Sequence, residues 1–314
     1  MFAKVSELYY TYSRWIRERF PFKVQKISID AGLGCPNRDG RIGVGGCVYC
    51  NNRSFNPRYC DSRQSVAQQL EAGKRFFKGK YDKARFLAYF QAHTNTYGET
   101  ARLMALYREA LEVEDVVGLV IGTRPDCLNT ELLNELEALS RETFLMLEFG
   151  IESVRDDTLR LINRGHTFSC SRRAIEETSR RGIYTGGHVI LGLPGEDCSS
   201  ILQQADVVSS LPLDVLKIHQ LQVVCDTPLA RQYESGKLSL FEMEEYIELL
   251  ASYIQRLRPT LALERFVSQC PADMLKAPRW GVKPQEFERR LEQYMKERGM
   301  RQGDSFQGEK KSVR

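Results

Sequence analysis

Apolar and polar positions fall in short blocks along this chain, and the blocks predict strands and helices in regular succession. Val24-Gln25-Lys26-Ile27-Ser28-Ile29 alternates with the period of two that a half-buried strand requires. Residues 85–91 read as a second strand. Residues 116–122 form a continuous apolar run, the pattern of a strand covered on both faces. Further strands are predicted at 144–151, 184–191 and 215–221. Between them, apolar residues at helical spacing predict helices over 63–78, 99–113, 130–140, 168–181 and 199–209. An amphipathic helix over 5–19, with Leu8, Tyr9, Tyr12 and Trp15 at helical spacing and closed by Pro21, precedes the first strand.

Six strands alternating with helices predict an α/β fold with a parallel sheet and right-handed crossovers. Unusual residues follow every strand. That suits a partial (β/α)6 TIM-like barrel better than a doubly wound sheet, because in barrels the C-terminal strand ends build the site. After Leu221 the pattern changes to a helix over 240–257, a short strand over 261–266 and a helix over 284–299. The expected organisation is an N-terminal helix (1–22), a barrel core (23–225), a small α-rich C-terminal extension (226–300) and a polar, disordered tail (301–314).

Composition narrows the setting. A hydrophobic content of 42% with 27% charged residues is that of a globular protein, and no apolar run approaches bilayer-spanning length. Met1-Phe2-Ala3-Lys4 leads into charged residues, so no secretion signal is expected. Nine cysteines in a non-secreted chain argue for reduced thiols and a cytoplasmic location. A net charge of +4 permits nucleic acid without indicating it. The basic, aromatic edges at Arg14, Arg17, Arg19 and Lys23, and at Arg279, Trp280 and Lys283, fit either RNA or a solvated face.

Three cysteines carry the chemistry: Cys35, Cys47 and Cys50, set among Asn37, Arg38, Asp39 and Gly43, Gly45 and Gly46. Such a polar, glycine-rich segment cannot be core. Three thiolates can hold three irons of a cubane and leave the fourth open to a small molecule. With His93 or Cys60 as a fourth ligand they would instead close a zinc site. The triplet alone fits both. The loop follows the first strand, where a partial barrel would place its cofactor, and that position favours the cluster.

These residues resemble the cluster loop of the radical S-adenosylmethionine superfamily. The spacing Cys35-x11-Cys47-x2-Cys50 departs from the usual Cys-x3-Cys-x2-Cys and is similar to the branch that includes the Elongator catalytic subunit. A longer resemblance, to the uncharacterised family that includes YhcC and YtqA, is carried by five blocks. They are Cys-Pro-Asn-Arg-Asp-Gly (35–40), Tyr-Phe-Gln-Ala-His-Thr-Asn-Thr (89–96), Gly-Thr-Arg-Pro-Asp-Cys (122–127), Asn-Arg-Gly-His (163–166) and Gly-Leu-Pro-Gly-Glu (192–196).

The resemblance implies a [4Fe–4S] cluster on Cys35, Cys47 and Cys50, with S-adenosylmethionine chelating the open iron. It implies Tyr49 against the adenine, and Thr94 and Thr96 near the methionine amine, although the double glycine found there in relatives is replaced by Gln91-Ala92-His93-Thr94. Glu148, Gly150 and Glu152 alternate out of the fourth strand. A carboxylate on a buried strand needs a partner, and a ribose diol or an ammonium group would serve. Arg164 would hold the cofactor carboxylate, or pair with Glu152 or Asp156. His188 is a cofactor contact or a core histidine. Gly192 opens a turn that would let adenine approach. Lys217 and His219 share a strand face and, with Arg124, are candidate substrate contacts; Asp126 could complete the pocket with Arg124 or cap the following helix.

The other six cysteines show no second Cys-x-x-Cys, so no auxiliary cluster is expected; Cys127 is a hydrogen-atom donor or a buried thiol. The implied activity is reductive cleavage of S-adenosylmethionine to a 5′-deoxyadenosyl radical, with an electron from an external reductant of flavodoxin or ferredoxin type. The substrate is either a tRNA, modified at a wobble uridine, or a small molecule. A zinc-stabilised RNA-binding module is the non-enzymatic alternative.

Overall fold

A computed structural model describes residues 8–54, 56–57, 59–78 and 84–308. In chain order the elements are α1 (Tyr12–Arg17), β1 (Val24–Ile29), a 3-10 turn (Asn52–Ser54), α2 (Val66–Phe77), β2 (Arg85–Phe90), α3 (Thr100–Leu111) and β3 (Val116–Thr123). Then come α4 (Thr130–Ser140), β4 (Phe144–Glu152), α5 (Asp156–Leu161), α6 (Phe168–Arg180), β5 (Tyr184–Leu191), α7 (Cys198–Ser210) and β6 (Val215–Gln220). The chain closes with β7 (Val223–Val224), α8 (Pro228–Glu234), α9 (Met243–Arg256), β8 (Ala262–Arg265), β9 (Leu275–Ala277) and α10 (Pro284–Glu297). Among these described residues, no helix is long and apolar enough to cross a membrane.

The main sheet has seven strands in the order β1-β2-β3-β4-β5-β6-β8, every pair parallel. It is an open half-barrel, as the strand pattern predicts, with one more strand than the six expected. The seventh comes from the segment read as an extension, because α9 acts as a further crossover helix between β6 and β8. The sheet curls far enough that its two edges meet: Lys26 on β1 reaches Glu264 on β8 at 2.8 Å.

Helix α1 is shorter than the predicted 5–19. Thr11 pairs as a strand with Leu263, and its side chain caps Arg14 N, so the helix starts at Tyr12; residues 5–7 lie outside the described residues. The tail expected to be disordered from Arg301 is instead held against the barrel over 301–308. The Gln302 side chain accepts from Tyr10 N at 2.8 Å and donates to the carbonyls of Arg258 and Leu261. A polar stretch is fastened here by side-chain bonds to buried backbone groups, which a hydropathy pattern does not register.

Two cores follow from strands with two covered faces. Outside the sheet, Ile27, Phe90, Ile121, Leu147, Val189 and Ile218 pack against helix residues such as Leu70, Leu103, Leu136, Ile175, Ile201 and Leu250. Inside, the period of two stacks side chains in layers, as in full barrels. The bottom layer is apolar: Leu87, Val120, Met146, Val215 and Ala262, plugged by Trp15 and Ile16 from α1. One step up each strand the layer becomes charged, with Lys26, Tyr89, Glu148, Lys217 and Glu264. Above that floor the strand ends open into a cavity.

Candidate active site at the open end of the half-barrel

The cavity has a volume of about 280 Å³. Its lining includes Cys35, Cys47, Cys50, Tyr49, Thr94, Arg124, Glu148, Glu152, Arg164, His188, Lys217 and His219. The strand ends thus bring together most of the residues expected to bind the cluster, cofactor or substrate. Asp126 lies outside the lining, as does Gly192, which adopts φ +90° and lies under Phe241, where an added Cβ would meet Cε2 at 3.1 Å. Thr96 is also absent from the lining, being bonded to Thr123 Oγ1 and the Cys127 carbonyl, both at 2.6 Å. Cys127 lies outside the cavity too, where burial and Asp126 push its thiol up to about 12.

The thiol loop is shaped by local bonds. The Cys35 carbonyl accepts from Arg38 N at 2.9 Å, and Cys50 N donates to the Cys47 carbonyl at 3.0 Å. Two asparagines stitch the loop to the turn after α5. Buried Asn37 donates Nδ2 to the Asn163 carbonyl at 2.6 Å, and Asn163 Nδ2 donates to the Gly46 carbonyl at 2.8 Å. This exchange explains why Asn37 and Asn163 sit in two separate sequence blocks. Burial and the neighbouring Cys47 push the Cys50 thiol up to about 11. A thiol this deep needs a cationic partner to ionise.

Arg164 is buried, and the pairing with Glu152 that was the alternative to a cofactor contact is present in the interior rather than on the surface. Its Nη2 donates to the Gly150 carbonyl at 2.7 Å and lies 3.5 Å from Glu152 Oε1; its Nη1 lies 3.6 Å from Cys47 Sγ. Glu152 adopts φ +64° at a bulge in β4, a left-handed conformation that is costly for glutamate. A Cβ at Gly150 would stand 2.5 Å from both Arg164 Nη2 and Glu152 Oε1, so any larger residue there must move these two side-chain ends. Arg124 is clamped by Asp126 through two bonds, at 2.9 and 2.8 Å, and Nη2 also donates to the Arg164 carbonyl.

Three lining residues carry buried polar atoms with no partner in the described chain: Thr94 Oγ1, Arg124 Nη1 and Arg164 Nε. Unpartnered buried atoms also occur away from the cavity, as at Ser171 Oγ and Tyr253 Oη, but these three border it and can serve a polar ligand there.

The floor differs. Of the two partners expected for Glu148, a ribose diol or an ammonium group, the chain supplies the ammonium itself, from two lysines. Glu148 Oε1 accepts from Lys26 at 2.8 Å, and Oε2 from Lys217 at 2.7 Å and His188 Nε2 at 3.0 Å. Glu264 adds a second carboxylate, 2.8 Å from Lys26 and 3.6 Å from Lys217. Burial opposes the charge on Glu148, but Lys217 and Lys26 overcome it and hold the carboxyl well below its usual range. Burial pushes the Lys217 ammonium down to about 8 against the pull of both glutamates. Burial, with His188 and Arg265, keeps His219 neutral; its Nδ1 contacts Ser268 Oγ at 2.5 Å.

Lys26, Glu264 and Arg265 were not singled out from the sequence. The signal existed for the first two: mid-strand charges at Lys26, Glu148, Lys217 and Glu264 sum to zero, as a buried set must. Arg265 lines the cavity and makes no hydrogen bond or ion pair among the described residues.

The donor set tests the two metal readings. Among the described residues no three His, Cys, Asp or Glu groups converge as ligands of one metal ion. A zinc site needs that convergence, whereas a cubane takes each thiolate on a different iron. Cys60, a proposed fourth zinc ligand, donates its thiol to the Ser28 carbonyl at 3.0 Å. Three thiols on one wall, beside unpartnered donors, fit a cluster with a small polar ligand.

Comparison with known proteins agrees with this geometry. Residues 32–205 match the radical SAM superfamily, and residues 213–297 a radical SAM C-terminal domain. Uncharacterized protein YtqA of Bacillus subtilis is 32% identical over 98% of this chain and 95% of its own. A tRNA uridine(34) acetyltransferase of Methanocaldococcus infernus is 25% identical over 59% of this chain but 34% of its own length. Among solved structures, the archaeal Methanocaldococcus infernus Elp3 with an N-terminal deletion superposes with a TM-score of 0.69 at 17% identity, covering 90% of this chain and 64% of that one.

Proposed function

This chain belongs to the radical S-adenosylmethionine superfamily, within it to the proteins similar to YtqA, and from that premise we propose that it acts on a tRNA nucleoside from the cavity above the charged floor. Members of the superfamily are enzymes that use a [4Fe–4S] cluster and S-adenosylmethionine. When bound, that pair supplies one-electron cleavage to a 5′-deoxyadenosyl radical; the protein supplies binding, orientation and exclusion of water.

The observation that carries the reading is the set of orphaned donors beside the three thiols. Cys35, Cys47 and Cys50 hold the cluster. Arg164 Nε and Arg124 Nη1 receive the carboxylate of the cofactor, a role suited to guanidinium groups already oriented by Gly150, Glu152 and Asp126. Thr94 Oγ1 and Glu152 take its amine and hydroxyl groups. Tyr49 flanks the adenine. The floor of Lys26, Glu148, Lys217 and Glu264 has its charges satisfied and closes the bottom of the cavity against water.

Substrate then meets the wall formed by β6 and β8. Of the cations on the cavity, Lys217 and Arg124 already face carboxylates. Arg265 forms no ion pair among the described residues, although Glu288 lies near enough to feel its charge, and its guanidinium suits a phosphate of the substrate backbone. A tRNA is favoured by that cavity-lining arginine, by the net charge of +4 and by similarity to a relative named as a tRNA uridine(34) acetyltransferase.

The test is binding and turnover with tRNA lacking the modification. Reconstituted protein should bind it with an affinity that falls steeply with salt. Adding the tRNA should raise 5′-deoxyadenosine formation above the level with cofactor alone. No binding at low salt, with full turnover on a small molecule, would sink the tRNA assignment.

A further inference from the structure

Glu152 leaves β4 in a turn that has to be held. Ser153 N donates to the Ile151 carbonyl at 2.9 Å, which closes a three-residue turn with Glu152 at its centre. The positive φ of Glu152, +64°, makes this the rare and strained kind of such turns. Strain of this sort persists only where the surrounding structure over-determines it. The turn also sets the direction of the Glu152 side chain, which lines the cavity 3.5 Å from Arg164 Nη2.

The groups that hold the turn come from the next βα unit. Three backbone N–H groups follow Glu152, and each has a partner. Ser153 N closes the turn itself. Val154 N donates to Gln204 Oε1 on α7 at 2.9 Å. Arg155 N donates to Ser153 Oγ at 3.1 Å, and Ser153 Oγ in turn donates to Glu196 Oε1 at 2.5 Å. Thr158 and Arg155 lie near enough to act on the Glu196 carboxyl, but Ser153 is the side chain it bonds, and Oε2 is buried with no partner. Ser153 and Gln204 are buried, and neither they nor Glu196 line the cavity.

We propose that Glu196, acting through Ser153, is a positioning residue for S-adenosylmethionine: it holds Glu152 in the turn that presents its carboxylate to the cofactor. The proposal rests on the cofactor role given to Glu152 above. Glu196 itself touches no ligand. It follows the turn at the end of β5, the strand that pairs with β4 across the bulge at Glu152, so the clasp joins two neighbouring strand ends. The geometry asks only that residue 196 accept one hydrogen bond. A glutamine amide oxygen can do that; an alanine cannot. Without the acceptor, Ser153 no longer fixes Arg155 N, and Glu152 relaxes toward ordinary backbone and away from the cofactor.

The test measures S-adenosylmethionine binding to the reconstituted protein by calorimetry. Glu196→Ala and Ser153→Ala should each raise the Kd about tenfold, as loss of an outer partner of a ligand group does. The double variant should be no weaker than either single one, because both cut the same link. Glu196→Gln should bind within about twofold of the unaltered protein. Iron content and urea unfolding show that each variant has loaded and folded; if Glu196→Ala does not fold, Ser153→Ala, smaller by one oxygen, carries the comparison. A Glu196→Gln variant as weak as Glu196→Ala would overturn the proposal. So would variants that lose stability while the Kd stays unaltered. Glu152→Gln separates the two readings. If it weakens binding while Glu196→Ala and Ser153→Ala do not, this proposal fails and the role of Glu152 stands. If it leaves the Kd unchanged, that role is overturned, and this proposal with it.

Discussion

The two ends of the cavity solve opposite problems. At the floor, two lysines and two glutamates are buried together, and every charge finds its counter-charge within about one hydrogen-bond length. At the thiol end, Thr94, Arg124 and Arg164 are equally buried yet each keeps an unpartnered atom. A satisfied polar network is structure. An unsatisfied one that borders a cavity beside three thiols leaves donors open to a polar ligand. Chemistry-bearing residue types occur at both ends, so residue type alone does not distinguish them; satisfaction does.

Substitutions should separate the ends. Cys47→Ala should abolish S-adenosylmethionine cleavage, and urea unfolding of the metal-free protein should shift little, since Cys47 belongs to a loop rather than to the floor. Glu148→Ala should do the converse. It leaves Lys26 and Lys217 to share Glu264 as their one remaining carboxylate in the floor and should cost about 3 kcal/mol of stability in the same unfolding assay. Equal stability losses for the two variants would erase the distinction drawn here.

Acid should act on the floor. The fold holds the Glu148 carboxyl well below its ordinary value of 4.5. Its contribution is therefore complete above about pH 4.5 and is lost as pH falls toward the folded value, where the native state must accept a proton it disfavours. Unfolding midpoints of the unaltered protein should drop over that window, and Glu148→Gln should flatten the drop.

Smaller effects sharpen the contrast. Gly150→Ala forces Arg164 and Glu152 apart and should raise the S-adenosylmethionine Kd about tenfold, or about 1.4 kcal/mol. Calorimetry with the loaded protein reads it. Arg265→Gln removes a cation held by no side-chain hydrogen bond or ion pair among the described residues, so stability should change by less than about 0.5 kcal/mol. The log–log salt slope of tRNA binding should fall by about one.

Much of this architecture was legible in the chain. β1 and β5 begin and end where the apolar pattern placed them, and the three cysteines all line one cavity. What stayed hidden involves distant partners. Glu148 was recognisable as a buried carboxylate needing a cation, but Lys26 is 122 residues away and only the curl of the sheet brings it near. β8 was visible as a strand, yet its place beside β6 depends on α9 crossing over, which periodicity does not encode. Gly192 was read from its tight turn, and the ring of Phe241 decided its surroundings. Gln302 carried no signal, since its role is fixed by three backbone groups from distant segments.

The central claim is that Cys35, Cys47 and Cys50 hold a redox cluster that activates S-adenosylmethionine. The direct test is anaerobic reconstitution with iron and sulfide, metal analysis, and assay of 5′-deoxyadenosine after adding S-adenosylmethionine, dithionite and tRNA, alongside Cys47→Ala. We predict a brown protein with iron and sulfide in equal amounts, formation of the nucleoside, and its loss in the variant. A colourless protein that binds zinc, takes up no iron and forms no nucleoside would contradict the account.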